Sequence, residues 1–434
     1  MRCPARAALL AVGIATAPVA APAGEPTPYD DTLFGDWAGF RSSLYAEGID
    51  LRVSYVSETA ANPQGGAKTG VRYTDQYVFG STFNLDQLLR LDNAVFQVSI
   101  TDRNGRNLSS DVKLGSLQQV QEVFGRGQTW RITQFWYRQT YFDNALDIKL
   151  GRLTEGEDFA NFSCEFMNLT FCGAPPGNLV GNYWFNWPVS QWAGRVKAVA
   201  PDLGYAMIGA YEVNPSYLTR RYAFNLGDPP GATGALIPAE LAWLPSFGPA
   251  KLPGSYKLGA WYNTSQTADV VDNTQGQLLA IAGGLPLQHN GAFGAYINFQ
   301  QKLLGGTPDA PHEGLTAFLN VTAADHRTAT LDNQIALGIF YDAPFAHRPA
   351  DQLGIATGRT HVNDRVAAAE EFQNAAGLVP VGVQHAEYVG EIYYHLHVID
   401  GLSLQPNLQY VHQPGGIAKN TDDVILGLKV AFSL

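Results

Sequence analysis

A ten-residue alternation, repeated sixteen times with short and long connections in turn, constrains this chain most. Between Leu51 and Phe432 sixteen segments set apolar residues at every second position. A tilted strand crossing a bilayer needs about 9–11 residues and has this period of two. The last two segments are the cleanest. Leu402, Leu404, Pro406, Leu408 and Tyr410 share one face, and Ser403, Gln405, Asn407 and Gln409 share the other. Val424, Leu426, Leu428, Val430 and Phe432 then alternate with Gly427, Lys429 and Ser433. An amphipathic helix would instead repeat about every 3.6 residues.

Strands are expected near 50–58, 76–85, 94–102, 131–141, 145–152, 192–200, 205–213 and 235–244. The remainder fall near 255–264, 292–302, 313–322, 333–342, 352–359, 385–397, 402–411 and 423–433. With a periplasmic N-terminus, the loops after odd strands face outside, among them 103–130, 153–191, 265–291 and 360–384. The opposite turns, such as Asp143-Asn144 and Asp400-Gly401, are tight. The expected fold is all-β: a sixteen-stranded antiparallel transmembrane β-barrel with long extracellular loops. Residues 114–124 and 363–373 have helical composition and are expected as short helices within those loops.

The route to a membrane is written at the start. Arg2 and Arg6 precede an apolar run, Ala7 to Val19, and Ala21-Pro22-Ala23 has the form of a cleavage site. Residues 1–23 are therefore expected to be a secretory signal peptide, leaving the barrel at 24–434. Only 15% of residues are charged, while 45 glycines and 12% aromatics suit turns and strands. A net charge of −11 disfavours nucleic acid as a partner. Cys3 leaves with the signal, so Cys164 and Cys172 remain as a pair expected to form a disulfide. Their spacing fits no zinc pattern, and no metal or cofactor is expected.

Leu33-Phe34-Gly35-Asp36-Trp37-Ala38-Gly39-Phe40-Arg41, followed by Gly48-Ile49-Asp50-Leu51 and Asn62-Pro63-Gln64-Gly65-Gly66, resembles the opening of the OprB-type carbohydrate-selective porins. Cys164-Glu165-Phe166, Phe171-Cys172-Gly173, Leu252-Pro253-Gly254-Ser255-Tyr256 and Arg348-Pro349-Ala350-Asp351 extend the resemblance along most of the chain. It implies a sixteen-stranded outer-membrane channel through which monosaccharides such as glucose diffuse down a gradient. It also implies that the third outer loop, 153–191, folds inward to narrow the channel. One departure is the C-terminus, which reads Phe432-Ser433-Leu434 where such strands commonly finish on Phe.

A sugar ring presents hydroxyls around apolar faces, so a sugar channel calls for hydrogen-bonding groups beside aromatic planes. On inward parity lie Arg52, Arg138, Arg195, Lys257 and Glu391, with Trp136, Trp261 and Tyr393. Loop 153–191 adds Glu155, Asp158, Glu165, Trp184 and Trp187. These are the candidate constriction residues, although charge rows on inner walls also pair with each other to hold a barrel together. Glu155 and Asp158 invite a glycosidase reading, but nothing in the sequence fixes their separation. No catalysis is expected. Two rivals stand beside the sugar porin: a channel for small organic anions, and a secreted soluble β-protein that binds or cleaves carbohydrate. The expected partners are monosaccharides and outer-membrane lipid. The outward faces suggest no polar patch, which favours a monomer over a homotrimer.

Overall fold

A computed structural model describes residues 29–305 and 313–434; the expected signal peptide lies outside these residues. Sixteen long strands follow one another in an antiparallel meander. They are β1 (Ile49–Gln64), β2 (Val71–Asn84), β3 (Ala94–Gly105), β4 (Arg131–Tyr141), β5 (Leu146–Leu153), β6 (Gln191–Ala200), β7 (Gly204–Val213) and β8 (Gly234–Trp243). Then come β9 (Leu252–Asn273), β10 (Pro286–Gly305), β11 (Gly314–Ala324), β12 (Leu331–Asp342), β13 (Gln352–Val362), β14 (Ala386–Ile399), β15 (Leu402–His412) and β16 (Asp423–Ser433). A two-residue strand, Ser246–Phe247, adds a small hairpin to the start of β9.

The ring closes where β16 pairs with β1, from Ser54 opposite Ser433 to Gln64 opposite Val424. Closure leaves no open edge, which a bilayer without hydrogen-bonding partners demands. The atypical C-terminus takes part, because the Leu434 amide donates to the Val53 carbonyl at 2.8 Å.

The alternation fixes which face is which. Leu408 and Tyr410 are exposed on the outside, whereas Gln405, Asn407 and Gln409 are buried within. The β15–β16 register, with Leu408 opposite Leu426 and Gln409 opposite Ile425, carries the same parity across the seam. Asp75 breaks the outward pattern on β2. It shares the parity of Tyr73 and Tyr77, and its carboxylate accepts the Tyr73 hydroxyl at 2.9 Å.

Two expectations about loops change. Residues 265–291 are mostly strand, since β9 runs to Asn273 and β10 starts at Pro286. Ser265, Thr267 and Asp269 face inward there while Gln266 and Ala268 face out, so the ladder continues after the outward face has ceased to be apolar. Residues 114–124 form no helix; a single turn at Leu108–Asp111 precedes them. Their backbone is claimed from outside, Leu117 N–H by the Glu387 carboxylate at 2.7 Å and Glu122 N–H by the Met167 carbonyl at 2.9 Å. The other helix does form, at Asp364–Ala375, with the Asn363 side chain accepting the Arg365 amide at 3.0 Å.

Leu408→Arg should cost about 2–4 kcal/mol if position 408 lies near the bilayer midplane. Denaturant unfolding from lipid vesicles measures this. A variant as stable as the parent would remove residue 408 from the lipid-facing wall.

Candidate functional site

Loop 154–190 leaves β5 and turns into the barrel instead of rising over it. Its apolar side chains are buried against the surrounding structure: Phe159, Phe166, Met167, Phe171, Trp184 and Phe185 are fully buried, in four clusters shared with wall and neighbouring-loop residues. The disulfide Cys164–Cys172, with Cα atoms 4.4 Å apart, closes its middle.

The inward aromatics expected as platforms for a sugar serve this loop instead. Trp184 meets Trp261 edge-on at 5.6 Å and Tyr296 at 6.4 Å. Phe166 meets Tyr393 at 4.8 Å and Phe340 at 5.6 Å. Trp136, Trp261 and Tyr393 are all buried, as is Trp184. A narrow loop entering a wide hole must bury apolar surface somewhere, and inward rings supply the sockets.

Charge fixes the loop's entry. Asp158 accepts from Lys149 at 2.9 Å and Arg195 at 3.0 Å, and Glu157 accepts from Lys149 at 3.0 Å. Arg195 also reaches Asp147 at 2.7 Å, and Asp147 is held from its other side by Arg138 at 2.9 Å. Glu155 is enclosed within the loop, accepting the Phe185 amide at 3.1 Å and the Gln191 amide group. Burial pushes its carboxyl up to about 8, so it is largely uncharged at neutral pH.

The far wall grips the middle of the loop. The two oxygens of Glu391 accept the Met167 and Asn168 amides, each at 2.8 Å. The Asn168 side chain donates to Gln409 at 2.9 Å, and Gln405 donates to the Glu165 carbonyl at 2.8 Å. On the β8–β10 side, Glu240 accepts the Ala160 amide at 2.9 Å and Lys257 donates to the Asn161 carbonyl at 2.7 Å. The loop therefore spans the lumen from wall to wall.

Loop 106–130 joins it. Glu122 N–H donates to Met167 O and Leu169 N–H to Gln119 O, both at 2.9 Å, while Gln409 donates to Val120 O at 3.0 Å. Between the two loops and the β2–β3 wall lies a cavity of about 730 Å³. Arg103, Arg126 and Lys429 line it together with Glu122 and Glu157. Amides of Gln76, Gln119, Asn161, Asn178 and Asn186 fill the gaps, and Phe124, Phe162 and Trp187 supply aromatic surface. The Trp187 indole N–H donates to Gln76 Oε1 at 3.0 Å, and Arg103 Nε donates to the same oxygen at 2.8 Å. Burial lowers the Arg126 guanidinium, whose Nη1 donates to the Gly181 carbonyl at 2.7 Å.

Of the candidate residues, only Trp187 lines this cavity. Arg138, Asp158 and Arg195 form the anchoring network, Glu155 lies in the loop's interior, Trp184 docks on the wall rings Trp261 and Tyr296, and Lys257 and Glu391 hold the loop's backbone. Glu165 faces a second space of about 470 Å³ with Lys302, Asp342 and His395. Arg52 sits at the start of β1, paired with Asp50 at 3.0 Å, apart from the constriction. Arg103 has inward parity but was masked by the expectation that its strand stops at 102. Lys429 was visible in the final alternation; the asparagines and Arg126 carry no periodic signal.

Glu391→Ala should leave the barrel folded, because strand pairing is untouched, while stranding two buried amides at about 1–3 kcal/mol each. Single-channel conductance should rise as the loop loosens. Unchanged conductance would mean that the remaining anchors suffice.

The model of the carbohydrate-selective porin OprB family matches residues 68–434. Porin B of Pseudomonas aeruginosa is 43% identical over 438 residues, covering 98% of this chain and 95% of that protein. The putative porin QuiX of Acinetobacter baylyi is 33% identical, covering 92% of each. The high-pH structure of Pseudomonas putida OprB superposes with a TM-score of 0.90 at 40% identity, covering 94% of this chain and 99% of that one. An inward loop 154–190 within a closed barrel, and similarity along nearly the whole length, give one conclusion: this chain belongs to the OprB family of carbohydrate-selective porins, non-enzymatic channels of the outer membrane.

Proposed function

We propose that the chain lets monosaccharides such as glucose diffuse passively across the outer membrane, selected in the cavity between its two inner loops. The cavity lining carries the proposal. Its size lies within the range of about 300–1,000 Å³ common to small-ligand sites. Three bases and two acids interleave with five side-chain amides, beside the faces and edges of Phe124, Phe162 and Trp187. A sugar hydroxyl both donates and accepts, so a neutral polyol finds partners of either kind around such a ring. An organic anion would meet Glu122 and Glu157 along with the bases, which makes it the weaker fit.

Ion current through the purified protein in planar bilayers tests this. Glucose should block the current in a saturable manner, and a carboxylate of similar size should block less. Trp187→Ala should weaken the glucose block by roughly ten-fold, about 1.4 kcal/mol, through loss of the ring against the sugar. A current indifferent to sugars but strongly anion-selective in a salt gradient would overturn the reading.

The disulfide gives a second test. Cys164 and Cys172 both border the cavity. Reducing the bond, or changing both residues to Ser, should keep the barrel assembled while raising conductance and weakening sugar block. Unaltered conductance and block after complete reduction would show that this part of the loop does not shape the passage.

A further inference from the structure

Transport leaves the segment Leu33–Arg41 without a task. We propose that it anchors the barrel in the inner, phospholipid leaflet of the outer membrane, at the seam where β16 meets β1.

Its polar side is committed to the barrel. The Leu33 amide donates to the Ser433 carbonyl at 2.8 Å, directly below the end of β16. Below Ser54 the first strand has no β16 partner, and there the Arg41 guanidinium donates to the Leu51 carbonyl at 2.9 Å. Arg41 is fully buried, lying 3.7 Å from the ring centre of Tyr29, whose hydroxyl donates to Asp50 at 2.9 Å. A Cβ at Gly401, in the turn between β15 and β16, would collide with the Leu33 amide nitrogen. The segment thus fills a notch in the wall.

Its apolar side is left open. Trp37, Ala38 and Gly39 take positive φ values of 49°, 57° and 90°, and Asp36 accepts the Ser42 amide at 2.6 Å. This reversal sends Arg41 inward and leaves Phe34 64% exposed, Trp37 38% and Phe40 54%, with Tyr45 at 48% just beyond. Four large aromatics stand at the short-turn rim, next to a lipid-facing wall in which Tyr55 and Phe432 pack at 5.6 Å.

Continuity with that wall names the occupant. The segment joins the barrel at Ser433, where β16 ends, so its open face extends the apolar exterior into the headgroup zone. Aromatic rings are favoured at that depth because an apolar body can enter the acyl boundary while polar atoms stay wet. Asp36 and Glu47 beside the rings argue for insertion by the rings rather than attraction to anionic lipid.

The test uses the full chain in phosphatidylethanolamine-containing bilayers. Spin labels are placed at Phe34→Cys, Phe40→Cys, the wall position Phe432→Cys and the exposed turn position Asp400→Cys; the paired native cysteines do not react. Heat-modifiability on gels checks that each variant is folded. Labels at 34 and 40 should collide several-fold more with oxygen, relative to a water-soluble nickel chelate, than the label at 400. Should labelling disturb the segment, quenching by brominated phospholipid supplies a second readout: the parent should lose more fluorescence than Trp37→Phe. Labels at 34 and 40 that match position 400, with equal quenching in parent and Trp37→Phe, would overturn the anchor and point to a surface for a periplasmic protein.

Discussion

Hydrocarbon offers a backbone amide no partner, and in this chain that single fact reaches from the ladder to the pore. Each strand is paired on both sides because β16 returns to β1. Closure makes an exterior whose only requirement is to be apolar and an interior that is wide and wet. A selective passage then needs something to occupy the interior without destroying it.

Loop 154–190 meets that need by burying its apolar side chains against the wall and the neighbouring loops. Its rings insert among inward rings of the wall, and its backbone polar groups are taken by wall carboxylates and amides. Glu391, Glu240 and Gln405 each accept or donate where a helix or strand would normally satisfy the chain. This costs little in regular structure and gives precise placement, because each buried amide left without an acceptor is penalised. The cavity that remains is bordered by backbone turns and side-chain amides whose positions follow from those anchors.

The two inner loops depend on each other. Loop 106–130 pairs with 154–190 through Glu122 and Leu169, and both hang on Gln409 of β15. A change at the β14–β16 wall therefore reaches the cavity through two loops at once. Residues that never face the cavity, Glu391 above all, are coupled to its shape by direct hydrogen bonds.

Strand number, order and the lipid-facing residues were legible in the sequence, because a pleated strand between lipid and water imposes a period of two on side-chain polarity. Leu402 to Tyr410 could be assigned to faces from that period alone, and the cysteine pair from two cysteines expected in an exported chain. The period falls silent outside the bilayer, which is why the upper parts of β9 and β10 read as loop. It also cannot distinguish an inward side chain that meets solute from one that meets a loop. Trp136, Trp261, Tyr393 and Glu391 have the right parity, yet only the folded loop decided that they are sockets and anchors. Arg103, Arg126 and Lys429 come together from residues up to 326 positions apart, counting from Arg103 to Lys429. Local sequence sets which way a side chain points; what stands opposite it across the lumen is settled by closure of the ring and the path of the loops inside it.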